Sequence, residues 1–124
     1  MFDTTVLVVG IDKRSKDLEE MPLRIITMQT GLEAIRCLKE ERIDAVASSW
    51  ELDDMPEGRF LSRLMAVRPN FPAVAFIEDG NEEQEISARH AGVAAVLTNN
   101  TDSDYFRQIV CQILGFSSLC CVHR

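Results

Sequence analysis

A short uncharged stretch in the middle of the chain, Ala45–Ser48, limits the folds that this sequence can adopt. Charged residues lie on both sides of it, with Asp44 before and Glu51 after. A short run of this kind is typical of a strand that is buried on both faces, as in a parallel sheet covered by helices. We therefore predict a central strand here. Its carboxyl end, at Ser49 and Trp50, should open at the edge where such sheets place their ligands.

Strand and helix patterns alternate along the rest of the chain. Four more β-branched or apolar runs predict strands at Thr4–Ile11, Leu23–Met28, Ala73–Ile77 and Val93–Leu97. Helical patterns separate or follow most of them, whereas the charged segment Asp12–Glu20 allows a short helix at most. Strands that alternate with helices predict an α/β fold, a doubly wound parallel sheet with right-handed crossovers.

Local signals mark the ends of the helices. Thr30 and Glu33 have the spacing of a capping box, Asn81 is placed as an N-cap, and Gly92 is placed as a left-handed C-cap. A cap at Thr101 or Asp102 begins the last helix. On each predicted helix, one set of side chains is expected to face the core. From the first to the last helix these are Leu32, Ile35 and Leu38; Phe60 or Leu61, Leu64 and Val67; Ile86, Ala88 and His90; and Tyr105, Phe106, Ile109, Val110, Ile113 and Leu114.

Length and charge indicate the class of protein. The 124 residues suit one domain, predicted at residues 1–115, followed by a tail at 116–124 that packs back on the domain or marks a cut from a longer protein. A net charge of −7 argues against nucleic-acid binding. No apolar run approaches the roughly 20 residues of a membrane span, and the start lacks the basic residues of a signal peptide. We expect a cytoplasmic protein.

The four cysteines do not predict a metal site, because none forms a C-x-x-C pair. Cys37 and Cys111 fall within helical patterns and are predicted to be small core or boundary residues. Cys120 and Cys121 lie in the tail, where they are reactive, lipidated, or an exposed pair without a role.

From Thr4 to about Leu114 the chain resembles the receiver domain of bacterial response regulators. The resemblance rests on the order and spacing of four segments: Val6–Val9, Gly31–Ile35, Asp44–Leu61 and Ala91–Thr98. It implies a flavodoxin-like fold with five parallel strands in the order 2-1-3-4-5, here with a shortened first helix.

The family's chemistry is phosphoryl transfer from a histidine kinase to an aspartate, with Mg²⁺ bound by an acid pair. At each of the family's functional positions this sequence has a different residue. Gly10 and Ile11 stand where the family has its acid pair, with Asp12 one step later, and Ser49 stands where it has the phosphate acceptor. Ile77 replaces the switch hydroxyl, Asn99 and Asn100 replace the lysine and the proline, and Val96 replaces the aromatic switch residue. A serine cannot form an acyl phosphate. The resemblance therefore implies a pseudo-receiver that keeps the fold without phosphorylation, enzyme activity or a cofactor.

Two alternatives remain for the acidic residues near this edge. Asp53 or Glu51 is a displaced phosphate acceptor, with Asp12 and Glu51 as candidate Mg²⁺ ligands. Otherwise Asp12, Glu51, Asp53, Asp54, Glu78 and Asp79 form a solvated acidic rim. For Trp50 the alternatives are to fill the emptied pocket or to anchor a partner. His90 is interpreted as a packed or half-exposed residue rather than a phosphocarrier.

A protein partner or a second copy of the chain is expected on the surface that the family uses for this purpose. That surface comprises the family's fourth helix, fifth strand and fifth helix, which correspond to Glu82 through Gln112. Its representative residues are Arg89, Val96, Asn100, Tyr105 and Arg107, of which Arg89, Asn100 and Arg107 are predicted to be exposed.

Overall fold

The computed structural model describes residues 4–115. The strands are β1 (Thr5–Val9), β2 (Arg24–Met28), β3 (Ala45–Ser49), β4 (Ala73–Ile77) and β5 (Ala95–Thr98). The helices are a 3₁₀ helix (Asp12–Leu18), α1 (Gly31–Glu40), α2 (Arg59–Val67), α3 (Glu82–Ala91) and α4 (Ser103–Leu114). The predicted tail at 116–124, with Cys120 and Cys121, lies outside the described residues. No helix within residues 4–115 is long and apolar enough to cross a membrane.

The five strands form one parallel sheet in the order β2-β1-β3-β4-β5, as predicted. The predicted central strand pairs with β1 on one side and with β4 on the other, and Val46 pairs with Leu7 and with Ala73. β1 ends two residues earlier than predicted, because Gly10 turns the chain at φ +73°. The buried faces of β1, β3 and β4 require helical cover on both sides of the sheet.

Helices cover the two faces of the sheet unequally. One face is covered by α1, α2 and α3, with Phe60, Leu61 and Ala88 among the buried residues. The other face is covered by α4 and by the 3₁₀ helix, which contributes Leu18. Cys37 lies on the buried side of α1, and burial raises the pKa of its thiol. Both observations are consistent with a core role.

Several core predictions were wrong. Leu32, Val67, Ile86 and Tyr105 are 58%, 77%, 68% and 50% exposed, and His90 is exposed as well. Val67 is the last residue of α2, which buries its other predicted residues. In α1 and α3 another side of the helix meets the sheet, so that α3 buries Ala88. Ile86 lies two residues away, about 200° around the helix, and therefore points to solvent.

The 3₁₀ helix is fastened to α4 by a polar network. Arg14 donates to the carbonyl oxygens of Asn99 and Thr101 and pairs with Asp17 at 2.9 Å. Asp17 also accepts from the Ser103 hydroxyl at 2.6 Å. This network ties the shortened first helical segment to the connection between β5 and α4, a contact between segments 85 residues apart.

The guanidinium of Arg14 also makes cation–π contacts with two aromatic rings. Arg14 lies 5.1 Å from the centroid of the Phe76 ring and 5.9 Å from that of Phe106. The two rings meet edge to face with centroids 5.0 Å apart. A cation held over aromatic rings and bonded to two carbonyl groups contributes more than a surface ion pair does.

Replacement of Arg14 should therefore lower the free energy of unfolding. Arg14→Met should cost about 2 kcal/mol, because two carbonyl groups and Asp17 lose a charged donor. Arg89→Met is the matched control: Arg89 pairs with Glu85 on the surface of α3, so its loss should cost less than about 0.5 kcal/mol. Urea unfolding followed by circular dichroism measures both, and equal costs would contradict the anchoring role.

Candidate functional site

The carboxyl ends of four strands converge where the sequence placed the site. Gly10 follows β1, Ser49 ends β3, Ile77 ends β4 and Asn99 follows β5. Val9 pairs with Ser48 and Ile77 with Thr98, so these strand ends lie side by side. The topology thus assembles the predicted positions at one edge, but with a glycine, a serine, an isoleucine and an asparagine.

Leu52 lies over the end of β1, next to the end of β3. It is 5% exposed, and a Cβ built on Gly10 would lie 2.5 Å from its Cδ2 and 3.6 Å from the Cβ of Ser49. A larger residue at position 10 would collide with this leucine. The corner between β1 and β3 is therefore occupied by hydrocarbon.

Trp50 closes the adjacent space. Its side chain is 4% exposed and belongs to the core beneath α1, α2 and α3. Its ring lies directly under Gly58, where an added Cβ would be 2.0 Å from Cζ2. The two alternatives for Trp50 were to fill the pocket or to anchor a partner. A side chain that is this deeply buried fits the first alternative, because little of it is exposed to a partner.

The contact between Trp50 and Gly58 is testable because Gly92 offers a matched position. Both glycines have positive φ, +73° and +100°, but nothing lies within 4 Å of a Cβ at Gly92. Gly92→Ala should cost about 1 kcal/mol from backbone strain alone. Gly58→Ala should cost about 2 kcal/mol more, because the methyl group displaces the indole.

Thermal unfolding measures the difference between the two variants, and fluorescence reports the cause. Trp50 emission should shift to longer wavelength in Gly58→Ala and remain unchanged in Gly92→Ala. Similar costs and similar spectra in both variants would show that the indole does not need the glycine.

The loop from Glu51 to Gly58 is fixed by its own carboxylates. Asp54 accepts hydrogen bonds at 2.9 Å from the backbone N–H groups of Gly31 and of Leu32, at the first turn of α1. Met55 lies against Gly31, where an added Cβ would be 2.6 Å from its sulfur. The Glu51 carboxylate accepts from the N–H of Glu57. Two of the predicted rim acids therefore hold the loop in place.

These contacts bear on the two alternatives for the acidic residues. Backbone hydrogen bonds from Gly31 and Leu32 hold the pKa of Asp54 below its usual range. Asp12, Asp53, Glu78 and Asp79 are exposed. Across residues 4–115, no three carboxylate, histidine or cysteine side chains converge in a way that would hold a metal ion. With Leu52 in the corner, the residues present do not fit a Mg²⁺ site of the family's type.

The Asp54 contact predicts a pH-dependent contribution to stability. The folded-state pKa is lower than the unfolded one, so the contribution is full above the unfolded value and is lost as the pH falls through the folded value. Asp54→Ala should lower the free energy of unfolding by about 1 kcal/mol at neutral pH. The difference from the unmodified chain should vanish in acid.

The neighbouring Asp53 provides the control for Asp54. It is exposed and makes no side-chain hydrogen bond or ion pair within the described part of the chain. Asp53→Ala should leave urea unfolding curves unchanged at neutral and acidic pH. A pH-independent loss in Asp54→Ala would argue against the charged cap.

The residues predicted for the partner surface lie on α3, β5, α4 and the connection between β5 and α4, and the expected exposure of one of them is corrected. Arg89 and Asn100 are exposed, Tyr105 is 50% exposed and Val96 is half-buried. The prediction that Arg107 is exposed was wrong. Its side chain is 27% exposed, pairs with Asp104, and donates to the carbonyl oxygen of Asp17 at 3.0 Å.

Sequence reasoning missed the residues that close the edge. Leu52 was not singled out, because one leucine in a polar loop carries no local signal. In the sequence, Arg14 and Asp17 stand in a charged segment that gives no sign of their role. Their role depends on contacts with Asn99, Thr101 and Ser103, which are distant in the sequence.

Comparison with known sequences finds two bacterial regulators. The chain is 27% identical over 86 residues to the transcriptional regulatory protein GlrR of Escherichia coli K12, and equally to QseF of Escherichia coli O157:H7. The match covers 69% of this chain and 19% of each relative, so the chain spans about a fifth of their length. No protein-family profile matches the sequence.

Comparison with solved structures finds receiver domains. One is the signal receiver domain of an HD domain-containing protein from Pseudomonas fluorescens Pf-5, with a TM-score of 0.82 and 18% identity, covering 90% of this chain and 94% of that one. Another is a CheY-like receiver domain protein from Methanospirillum hungatei JF-1, with a TM-score of 0.81, 16% identity and the same coverage.

A third solved structure is NtrX from Brucella abortus, with a TM-score of 0.82 and 18% identity over 93% of this chain and 27% of that one. At these identities the comparisons show a shared fold. The predicted flavodoxin-like architecture is confirmed: this chain has the fold of receiver domains.

Proposed function

We propose that this chain is a receiver-like interaction module of bacterial two-component signalling that acts without being phosphorylated. It regulates a partner protein or an attached domain by contact, in the cytoplasm, and is not an enzyme. The sequence similarity to two transcriptional regulators supports the signalling context. The fold shared with receiver domains supports the class of module.

The observation that carries the proposal is the Leu52 side chain over Gly10. Phosphoryl transfer to a carboxylate requires a metal and cations that neutralise the developing charge. In this chain hydrocarbon from Leu52 occupies the corner between the ends of β1 and β3. Placing a doubly charged group and a metal against such a surface costs several kcal/mol without compensating ligands.

The Arg14 network supports a surface with one fixed conformation. In the family, a lysine after the fifth strand binds the phosphoryl group, and here that position is Asn99. The backbone of Asn99 and of Thr101 is instead held by Arg14 from within the fold. We infer that the connection between β5 and α4 does not need phosphate to become ordered, so the partner surface is permanently available.

The partner surface of this proposal comprises the exposed residues of α3, β5, α4 and the connection between β5 and α4, represented by Arg89, Asn100 and Tyr105. Arg107 supports this surface indirectly, because its hydrogen bond to the carbonyl oxygen of Asp17 holds α4 against the 3₁₀ helix. The partner is a protein, or a second copy bound through this same surface. No cofactor is required by this mode of action.

The test is the intact mass after incubation with Mg²⁺ and a small acyl-phosphate donor. No phosphoryl mass should be added, and millimolar Mg²⁺ should leave Trp50 fluorescence unchanged, because the indole adjoins the closed edge. A receiver domain that is phosphorylated under the same conditions serves as the positive control.

A labile stoichiometric adduct would overturn the proposal and restore the alternative of a displaced acceptor. Asp53→Asn and Glu51→Gln would then identify the carboxylate, because the adduct should disappear in one of them. Glu51 is bonded to the loop backbone, so the Glu51→Gln protein must first be checked for an unchanged unfolding midpoint.

A further inference from the structure

The helical layer formed by α1, α2 and α3 presents most of the exposed large apolar side chains of residues 4–115. Four large apolar residues are exposed between residues 4 and 115, and three of them, Leu32, Val67 and Ile86, belong to this layer. Each helix therefore contributes one. Exposed apolar groups that share one side of a molecule indicate a contact surface more often than scattered ones do.

A groove between α1 and α2 runs through this surface. Its apolar lining consists of Ile35, Leu38, Phe60, Leu64 and Val67. The cavity is about 200 Å³, smaller than the roughly 300–1,000 Å³ of most small-molecule sites. It has the size to accept one or two apolar side chains from another protein.

The rim of the groove is basic. Lys39, Arg63 and Arg68 line it, and none of the three forms an ion pair within the described residues. Arg68 instead lies over the ring of Phe71. In a chain with 13 basic and 20 acidic residues, three unpaired basic side chains around one apolar groove favour a ligand that carries carboxylates.

Helix α3 of the same chain carries such a ligand. Ile86 is 68% exposed and lies on the side of α3 opposite to the buried Ala88. Glu82 and Glu83 lie one turn before it, on the same side, and neither forms an ion pair within the described part of the chain. Arg89, one turn after Ile86, is paired with Glu85, so Glu82 and Glu83 supply the unpaired carboxylates beside this apolar side chain. They complement an apolar groove that is flanked by basic side chains.

We propose that a second copy of this chain occupies the groove, with Ile86 of each copy inserted between α1 and α2 of the other. The three helices connect β2 to β3, β3 to β4 and β4 to β5, so they lie side by side in the order α1, α2, α3. A two-fold axis close to α2 would therefore place each α3 over the other copy's groove. This gives a closed dimer, the commonest symmetry of oligomers.

This interface shares α3 with the partner surface, since Arg89 lies one turn after Ile86, but it uses α1 and α2 in place of β5 and α4. The dimer does not depend on the absence of phosphorylation. A phosphoryl adduct in the mass experiment would overturn the proposed function but not the dimer. A monomeric chain would overturn the dimer but not the proposed function.

Sedimentation equilibrium of the full chain over a range of concentrations tests the dimer. Ile86→Asp should raise the dimer dissociation constant tenfold or more, equivalent to about 1.4 kcal/mol. Lys13→Asp is the control, since Lys13 is exposed on the 3₁₀ helix, outside both this interface and the partner surface. The control should dimerise as the unmodified chain does. Tyr105→Asp tests the partner surface instead, and all three variants should keep the unmodified unfolding midpoint.

A monomer at all concentrations would overturn the proposal. So would dissociation by Tyr105→Asp with Ile86→Asp unaffected, because the dimer would then use the surface on α3, β5 and α4. Higher salt should weaken the proposed dimer, since basic and acidic side chains face each other across the interface.

Charge reversal gives a second test that does not depend on one variant. Arg63→Glu and Glu83→Arg should each weaken the dimer, because each places like charges together. The chain that carries both changes should recover at least part of the affinity. Both residues are exposed, so the fold should tolerate either change. Failure of the combined variant to recover would contradict the pairing of the groove with α3.

Discussion

The contact between Leu52 and the backbone of Gly10 determines the character of the whole sheet edge. Because position 10 has no side chain, the leucine can lie over the ends of β1 and β3. The loop that carries Leu52 therefore lies close to the sheet. The same loop packs Gly58 against the Trp50 ring and lets Asp54 accept a hydrogen bond from the first turn of α1. One missing side chain thus permits an apolar closure at this edge of the sheet.

The fold was predictable where local chemistry marks both ends of an element. Helix α3 and strand β4 lie at the predicted residues, because Asn81 and Gly92 bound the helix and the strand is a continuous apolar run. Strand β1 was predicted too long, since apolar composition does not show where Gly10 turns. Leu32 and Ile86 were misplaced because an apolar pattern does not reveal which side of a helix meets the sheet.

The candidate site was predictable in position but not in content. Topology alone brings Gly10, Ser49, Ile77 and Asn99 to one edge, since parallel strands share the direction of their carboxyl ends. What fills that edge depends on long-range packing. Leu52 and Arg14 acquire their roles from residues that are far away in the sequence, and no spacing rule or motif announces such contacts.

The position of α4 has a consequence for synthesis on the ribosome. One face of the sheet is covered by Phe106, Ile109 and Val110 from this last described helix, and the Arg14 network closes onto the segment just before it. A nascent chain that has made β1 to β4 therefore still exposes the apolar face that carries Val8 and Phe76. The domain cannot complete its fold until α4 has left the exit tunnel, so translation must outpace aggregation of that face.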